Sequence, residues 1–148
     1  SNTRGLMASG SPGTNNIEFL TIATTGNTSR FGDLTVARNE ILAGGTSNNV
    51  RALWAGGSTS TVIDFVKIAT EGNAIDFGDL TQARMDPMSA SSSIRGVWCG
   101  GYTAPARINT IQYVTIATTG DAADFGDLPQ EMGYGKQCSD SHGGLGGF

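Results

Sequence analysis

Three aspartates, Asp33, Asp79 and Asp127, recur at one place in a repeated text, each directly after a glycine, and Asp76 and Asp124 add a second carboxylate in two copies. Carboxylates beside glycine can build a calcium site, but calcium takes about six to eight oxygens, and no copy carries acids at that density. Asp after Gly is also an ordinary turn residue, so turn hydrogen bonding is the reading we favour, and no metal site is expected. Arg4, Arg51 and Arg95 recur as a second set. They could present cations to an acidic sugar. Ion pairs with the repeated aspartates of neighbouring copies are the favoured alternative, each contributing little at a surface.

The remaining reactive side chains converge on no reaction. His142 is the only histidine, in the run Ser139-Asp140-Ser141-His142. A catalytic triad is defined by geometry rather than by adjacency, and one histidine without a cysteine pair at metal spacing argues against zinc or copper. No catalytic residue, cofactor or enzymatic activity is therefore expected. Cys99 and Cys138 fall at different places in the repeat and read as small buried residues, with a bridge between them as the other option. Trp54 and Trp98 are equivalent to Met7 and Leu145, an interchange that suits packing better than stacking on a sugar. Asn27-Thr28-Ser29 is a lone match to the N-glycosylation pattern. The net charge is −4, with nine Lys and Arg spread along the chain. That leaves no basic patch for nucleic acid. No apolar run approaches the roughly 20 residues of a spanning helix, so no membrane partner is expected.

These residues sit in a chain that repeats itself. TIATTGNTSRFGDL begins at Thr21, KIATEGNAIDFGDL at Lys67 and TIATTGDAADFGDL at Thr115, spacings of 46 and 48 residues. A fixed period of this length means one supersecondary unit stacked on its neighbours. With 22 glycines among 148 residues, 15% charge and no ten-residue stretch at helical period, the chain reads as all-β. It forms one repeat domain, residues 1–148, with copies over residues 4–50, 51–94 and 95–141 and a partial copy over 142–148.

Each copy holds four short strands. The first has small side chains (residues 39–45, 85–91 and 132–138). The second ends at a double glycine, Gly56-Gly57 or Gly100-Gly101, where backbone needs positive φ or close approach. The third starts at Ile17, Ile63 or Ile111, with apolar residues on both faces as in a sheet covered on both sides. A Thr-Gly or Glu-Gly turn then leads into FGDL, a short outer strand or extended turn. Between the second and third strands lie the most variable segments, residues 11–16, 58–61 and 102–110. We read these as loops, with Asn15, Asn16, Ser58, Thr59, Tyr102 and Arg107 as candidate ligand contacts.

The pattern resembles the kelch repeat, the blade of galactose-oxidase-type β-propellers. The matching residues are the double glycines, the following Ile63/Phe65 and Ile111/Tyr113, the later aromatics Phe31, Phe77 and Phe125, and Arg38 and Arg84 after the outer strand. Glu131 interrupts that last feature in the third copy. The wording of the copies is also similar to repeat proteins of cyanobacterial and marine phages described as virion structural or tail-fibre-like. The resemblance implies four-stranded antiparallel blades and a virion or extracellular location. It further implies adhesion to surface carbohydrate or to a neighbouring structural protein. An intracellular kelch-type interaction scaffold is the alternative, and a propeller enzyme the weaker third. The copper-binding Tyr, His and Cys set of galactose oxidase is not recognisable. Three blades are fewer than the roughly four to eight that close a ring. The chain is thus expected to be a window of a longer array or a part completed by other copies of itself.

Overall fold

The computed structural model describes residues 3–8, 12–39, 44–57, 60–135 and 139. They form three antiparallel sheets without a helix. The first sheet contains β1 (Arg4–Ala8), β2 (Thr14–Thr21) and β3 (Ser29–Arg38). The second is a meander of β4 (Gly45–Ser47), β5 (Arg51–Ala55), β6 (Val62–Lys67) and β7 (Ile75–Asp79). In the third, β8 (Met88–Ser91), β9 (Arg95–Cys99), β11 (Ala106–Thr115) and β12 (Ala123–Met132) repeat that order. The two-residue β10 (Tyr102–Thr103) forms a hairpin with the start of β11. Of the stretches read as small-residue strands, 85–91 supplies β8, and 39–45 meets a strand only at Gly45, where β4 begins. Residues 133–135 carry no strand, while 40–43 and 136–138 lie outside the described residues. The FGDL segments are outer strands rather than turns.

The second sheet is covered on both faces. Its Ala52, Trp54, Val66, Ile68 and Ala74 pack with Ile17, Phe31 and Leu34 of the first sheet. Its Leu53, Ala55, Ile63, Phe65, Phe77 and Leu80 pack with Trp98, Val114, Ile116 and Ala122 of the third. Apolar residues at both parities of β5 and β6 are what this requires. The two tryptophans are packing residues, and Trp98 Nε1 also donates to Gly44 O at 2.8 Å.

Hydrogen bonds fix each sheet against the next. The ladder skips Phe31, Phe77 and Phe125, giving a β-bulge in each outer strand. At two of these places the outward-facing backbone is taken by the glycine turn of the following sheet. Gly72 N donates to Phe31 O (2.9 Å) and Ala74 N to Asp33 O (2.7 Å), while Gly120 N donates to Phe77 O (2.7 Å) and Ala122 N to Asp79 O (2.8 Å). Asp33 N donates to Asn73 Oδ1 (3.1 Å) and Asp79 N to Asp121 Oδ1 (3.0 Å). The approach leaves no room for a side chain. A Cβ on Gly32 would overlap the Gly72 carbonyl, and one on Gly78 would lie 2.5 Å from Gly120 C and O.

A buried arginine completes each junction. Arg38, 1% exposed, donates to Gly56 O (3.1 Å) and Val62 O (2.6 Å) and forms an ion pair with the fully buried Asp64. Asp64 also accepts from Thr35 Oγ1 at 2.6 Å. At the next junction Arg84 donates to Gly100 O (2.9 Å), Thr110 O (3.2 Å) and Thr110 Oγ1 (2.8 Å). The place of Asp64 is held there by Gln112, whose Oε1 accepts from Thr81 N and whose Nε2 has no partner among the described residues. Burial lowers the Arg84 pKa to about 10, and it lowers that of Arg38 as well, where Asp64 opposes the shift.

Two stability predictions follow from these junctions. Gly32→Ala should lower unfolding free energy by about 2 kcal/mol or more through overpacking. Gly26→Ala, whose Cβ meets nothing within 4 Å, should change it by less than about 0.5 kcal/mol. At the buried arginines, Asp64→Asn should cost about 3 kcal/mol by leaving Arg38 uncompensated. Gln112→Asp should instead stabilise by about 1.5 kcal/mol through a charge-assisted bond to Arg84. Denaturant titration of the four variants checks all of these.

Candidate functional site

The recurring acids and arginines do not meet. Arg4, Arg51 and Arg95 lie over the rings of Phe19, Phe65 and Tyr113, with guanidinium carbons 4.9, 4.7 and 4.5 Å from the centroids. Each ring in turn packs edge-on against Phe31, Phe77 or Phe125 of the same sheet, at 6.0, 5.6 and 5.8 Å. Arg4 and Arg51 also reach the next sheet, donating to Ile68 O (3.0 Å) and Ile116 O (2.8 Å). Arg4 has a carboxylate contact, but with Glu71, at 3.5 Å. The expected pairing with the repeated aspartates is therefore replaced by cation–π stacking, because the arginines open strands whose neighbours present an aromatic face.

The aspartates likewise belong to strands, not turns. One guanidinium nitrogen of Arg30 donates to both carboxylate oxygens of Asp33, at 2.6 and 2.7 Å, and Asp79 accepts from Thr61 Oγ1 at 2.7 Å. Their backbone groups bind the next sheet. Among the described residues, no three His, Cys, Asp or Glu side chains gather as a metal site would require. Cys99 is buried in β9, and Cys138 and His142 lie outside the described residues.

One place brings candidate contacts together. Tyr102, Pro105, Ala106, Arg107, Glu131 and Tyr134 line a recess of about 350 Å³ on the third sheet. Local folding accounts for its form. Gly100 and Gly101 turn the chain out of β9 at φ of 58° and 107°, beneath Met132, whose carbonyl accepts from Gly101 N at 2.8 Å. Only glycine takes both angles freely. The chain then forms the β10–β11 hairpin, which pairs Tyr102 with Arg107. Tyr102 is anchored by reciprocal backbone bonds with Met85, both 2.9 Å, and Thr103 Oγ1 donates to Ala83 O at 2.7 Å. Tyr134, also in the lining, has φ of +65°, and its ring centroid is 5.9 Å from the guanidinium carbon of Arg107. A bulky residue in the left-handed region costs free energy, so something holds it there.

Of the residues expected to contact a ligand, the recess gathers Tyr102 and Arg107. Asn15 and Asn16 fall within β2 instead of a loop, and Asn16 Oδ1 accepts from Arg30 at 3.1 Å. Ser58 and Thr59 lie outside the described residues. The residues 102–110 read as a loop are mostly strand, with a short turn between β10 and β11. Glu131 and Tyr134 were not anticipated. Their signal is present in the text, since the third copy has Glu131-Met132-Gly133-Tyr134 where the others continue Ala-Arg after the outer strand. Strand register puts Met132, opposite Ile108, at the place of Arg38, opposite Thr14. The Arg feature of the repeat is thus lost through Met132, with Glu131 beside it.

No protein-family model and no curated protein sequence matches the chain.

Tyr134→Gly should relieve the left-handed backbone and leave stability unchanged or raised by about 1 kcal/mol. Most exposed-to-core truncations of tyrosine would lower it. Thermal unfolding of the variant beside the parent chain distinguishes these outcomes.

Proposed function

We propose that the chain is a segment of a kelch-like β-propeller serving, without catalysis, as a structural and adhesive module of a virion surface, such as a tail fibre, or of another extracellular assembly. Its ligand is a surface carbohydrate held in the recess between Tyr102, Arg107, Glu131 and Tyr134. Consecutive antiparallel meanders stacked face to face, with a small-residue strand opening the second and third sheets, support the propeller reading. The recess carries the binding reading. Its volume lies within the roughly 300–1,000 Å³ usual for small-ligand sites.

The chemistry of the lining favours sugar. Aromatic faces take the apolar face of a pyranose, while the guanidinium of Arg107 and the carboxylate of Glu131 in the same lining supply donors and acceptors for ring hydroxyls. The observation that decides for this place is Tyr134, held at positive φ beside Arg107. Strain kept at a surface pocket is the mark of a residue positioned for contact. By contrast, the repeated arginines and Asp33 and Asp79 are already engaged within the stacked sheets.

A glycan array probed with the chain, followed by calorimetric titration of the strongest binder, tests this. Arg107→Ala and Tyr134→Gly are each expected to weaken binding about tenfold or more, the effect of losing one strong contact. Asn15→Ala is expected to leave it unchanged. Absence of any glycan binding, or equal affinity in all variants, would sink the reading.

A further inference from the structure

We infer that the face of the first sheet left open among the described residues docks on the corresponding open face of the third sheet in a second copy of this chain, forming a head-to-tail contact; the inference rests on the stacked-repeat reading proposed above. The occupant is specified by the molecule itself, because the same two faces already meet twice within it. On the third sheet, Phe125 is 53% exposed, whereas the equivalent Phe31 and Phe77 are 4% and 2% exposed. Leu128 is half-buried where Leu34 and Leu80 are buried. On the first sheet, Met7 and Ile22 are exposed where the equivalent Trp54 and Ile68, and Trp98 and Ile116, are buried. Each open face therefore bears the apolar half that its internal counterparts bury against the other.

The polar half is complementary as well. Phe125 is bulged like Phe31 and Phe77, and a Cβ on Gly126 would meet nothing within 4 Å, whereas on Gly32 or Gly78 it would meet the next turn. That is the empty seat for a glycine turn. The first sheet offers one in Gly26, Asn27 and Thr28, all exposed, which correspond to Gly72-Asn73-Ala74 and Gly120-Asp121-Ala122. Docking places Gly26 N on Phe125 O, Thr28 N on Asp127 O, and Asp127 N on Asn27 Oδ1. Arg95, stacked on Tyr113 like its two equivalents, donates to Ile22 O as Arg51 does to Ile116 O.

Two internal features are missing. Pro129 stands where Thr35 and Thr81 donate backbone N–H to Asp64 and Gln112, and Met132 stands for the buried arginine. The intermolecular junction thus keeps the backbone clasp and the apolar contact but loses the arginine. It is weaker than the internal junctions and reversible. Because the two faces differ, the contact is heterologous, and its repetition gives a ring or a filament.

Sedimentation velocity of the chain from about 1 μM to about 1 mM, a range spanning weak to moderate association, tests the inference. The expected result is a mass that rises with concentration beyond one chain. Thr28→Pro, which removes one N–H at an exposed position preceding β3, should shift the transition upward about tenfold, as for one lost hydrogen bond. Asn27→Ala should shift it in the same direction, and Asn27→Asp, which copies Asp121, should not. Unfolding midpoints close to the parent's confirm that the variants fold, and Asn27→Ala serves alone if the proline variant does not. A single-chain mass throughout overturns the inference. So does association that Thr28→Pro and Asn27→Ala leave unchanged.

Discussion

The clasp between a bulged outer strand and the glycine turn of the following sheet is the constraint from which the rest of the architecture follows. An outer strand would otherwise leave a row of backbone donors and acceptors unpaired. Here the bulge at Phe31 or Phe77 rotates one carbonyl outward, and a turn without side chains comes close enough to bind it. Glycine is needed on both partners of this contact, on the strand to admit the turn and in the turn to make the bend. The resulting spacing lets Trp54 and Trp98 fill the gap between sheets. It also brings Arg38 and Arg84 within reach of the double-glycine corners beyond.

Those arginines show one scaffold position solved in different ways. At the first junction the guanidinium is compensated by Asp64 and by two carbonyls. At the second it has two carbonyls, a threonine hydroxyl and, among the described residues, no carboxylate; burial depresses the pKa at both, opposed by Asp64 at the first. On the third sheet the position is Met132, 46% exposed, and the residues around it build a recess. Loss of an inward-reaching cation accompanies the appearance of an open recess. The same stretch of chain that seals two junctions forms, on the third sheet, the wall of that recess.

Much of the fold was readable because its determinants are local. The Ile-x-aromatic strands, the glycine corners and the turn glycines each act within a few residues of their own positions, and three aligned copies put them in register. The role of the repeated aspartates was not readable. Asp33 and Asp79 look like turn residues because they follow glycine, yet their backbone groups bind a sheet some 40 residues away. Arg51 likewise looks like half of an ion pair, and only strand pairing reveals that Phe65 is its neighbour. The recess was half legible. Tyr102 and Arg107 stood out as departures in a variable segment, whereas Glu131 and Tyr134 lie beyond the outer strand. Their convergence depends on Gly100 and Gly101 folding the hairpin back beneath Met132.

The inequality of the two internal junctions gives the chain a direction of failure. The first is locked by a buried ion pair, and the second, among the described residues, is held without one, with a glutamine amide left unmatched beside it. Free energies of local opening differ between parts of a fold according to such contacts. Under tension or in mild denaturant, the third sheet therefore parts from the second before the second parts from the first. A module pulled from outside would yield stepwise, letting go at the recess-bearing end while the remaining pair of sheets still bears load.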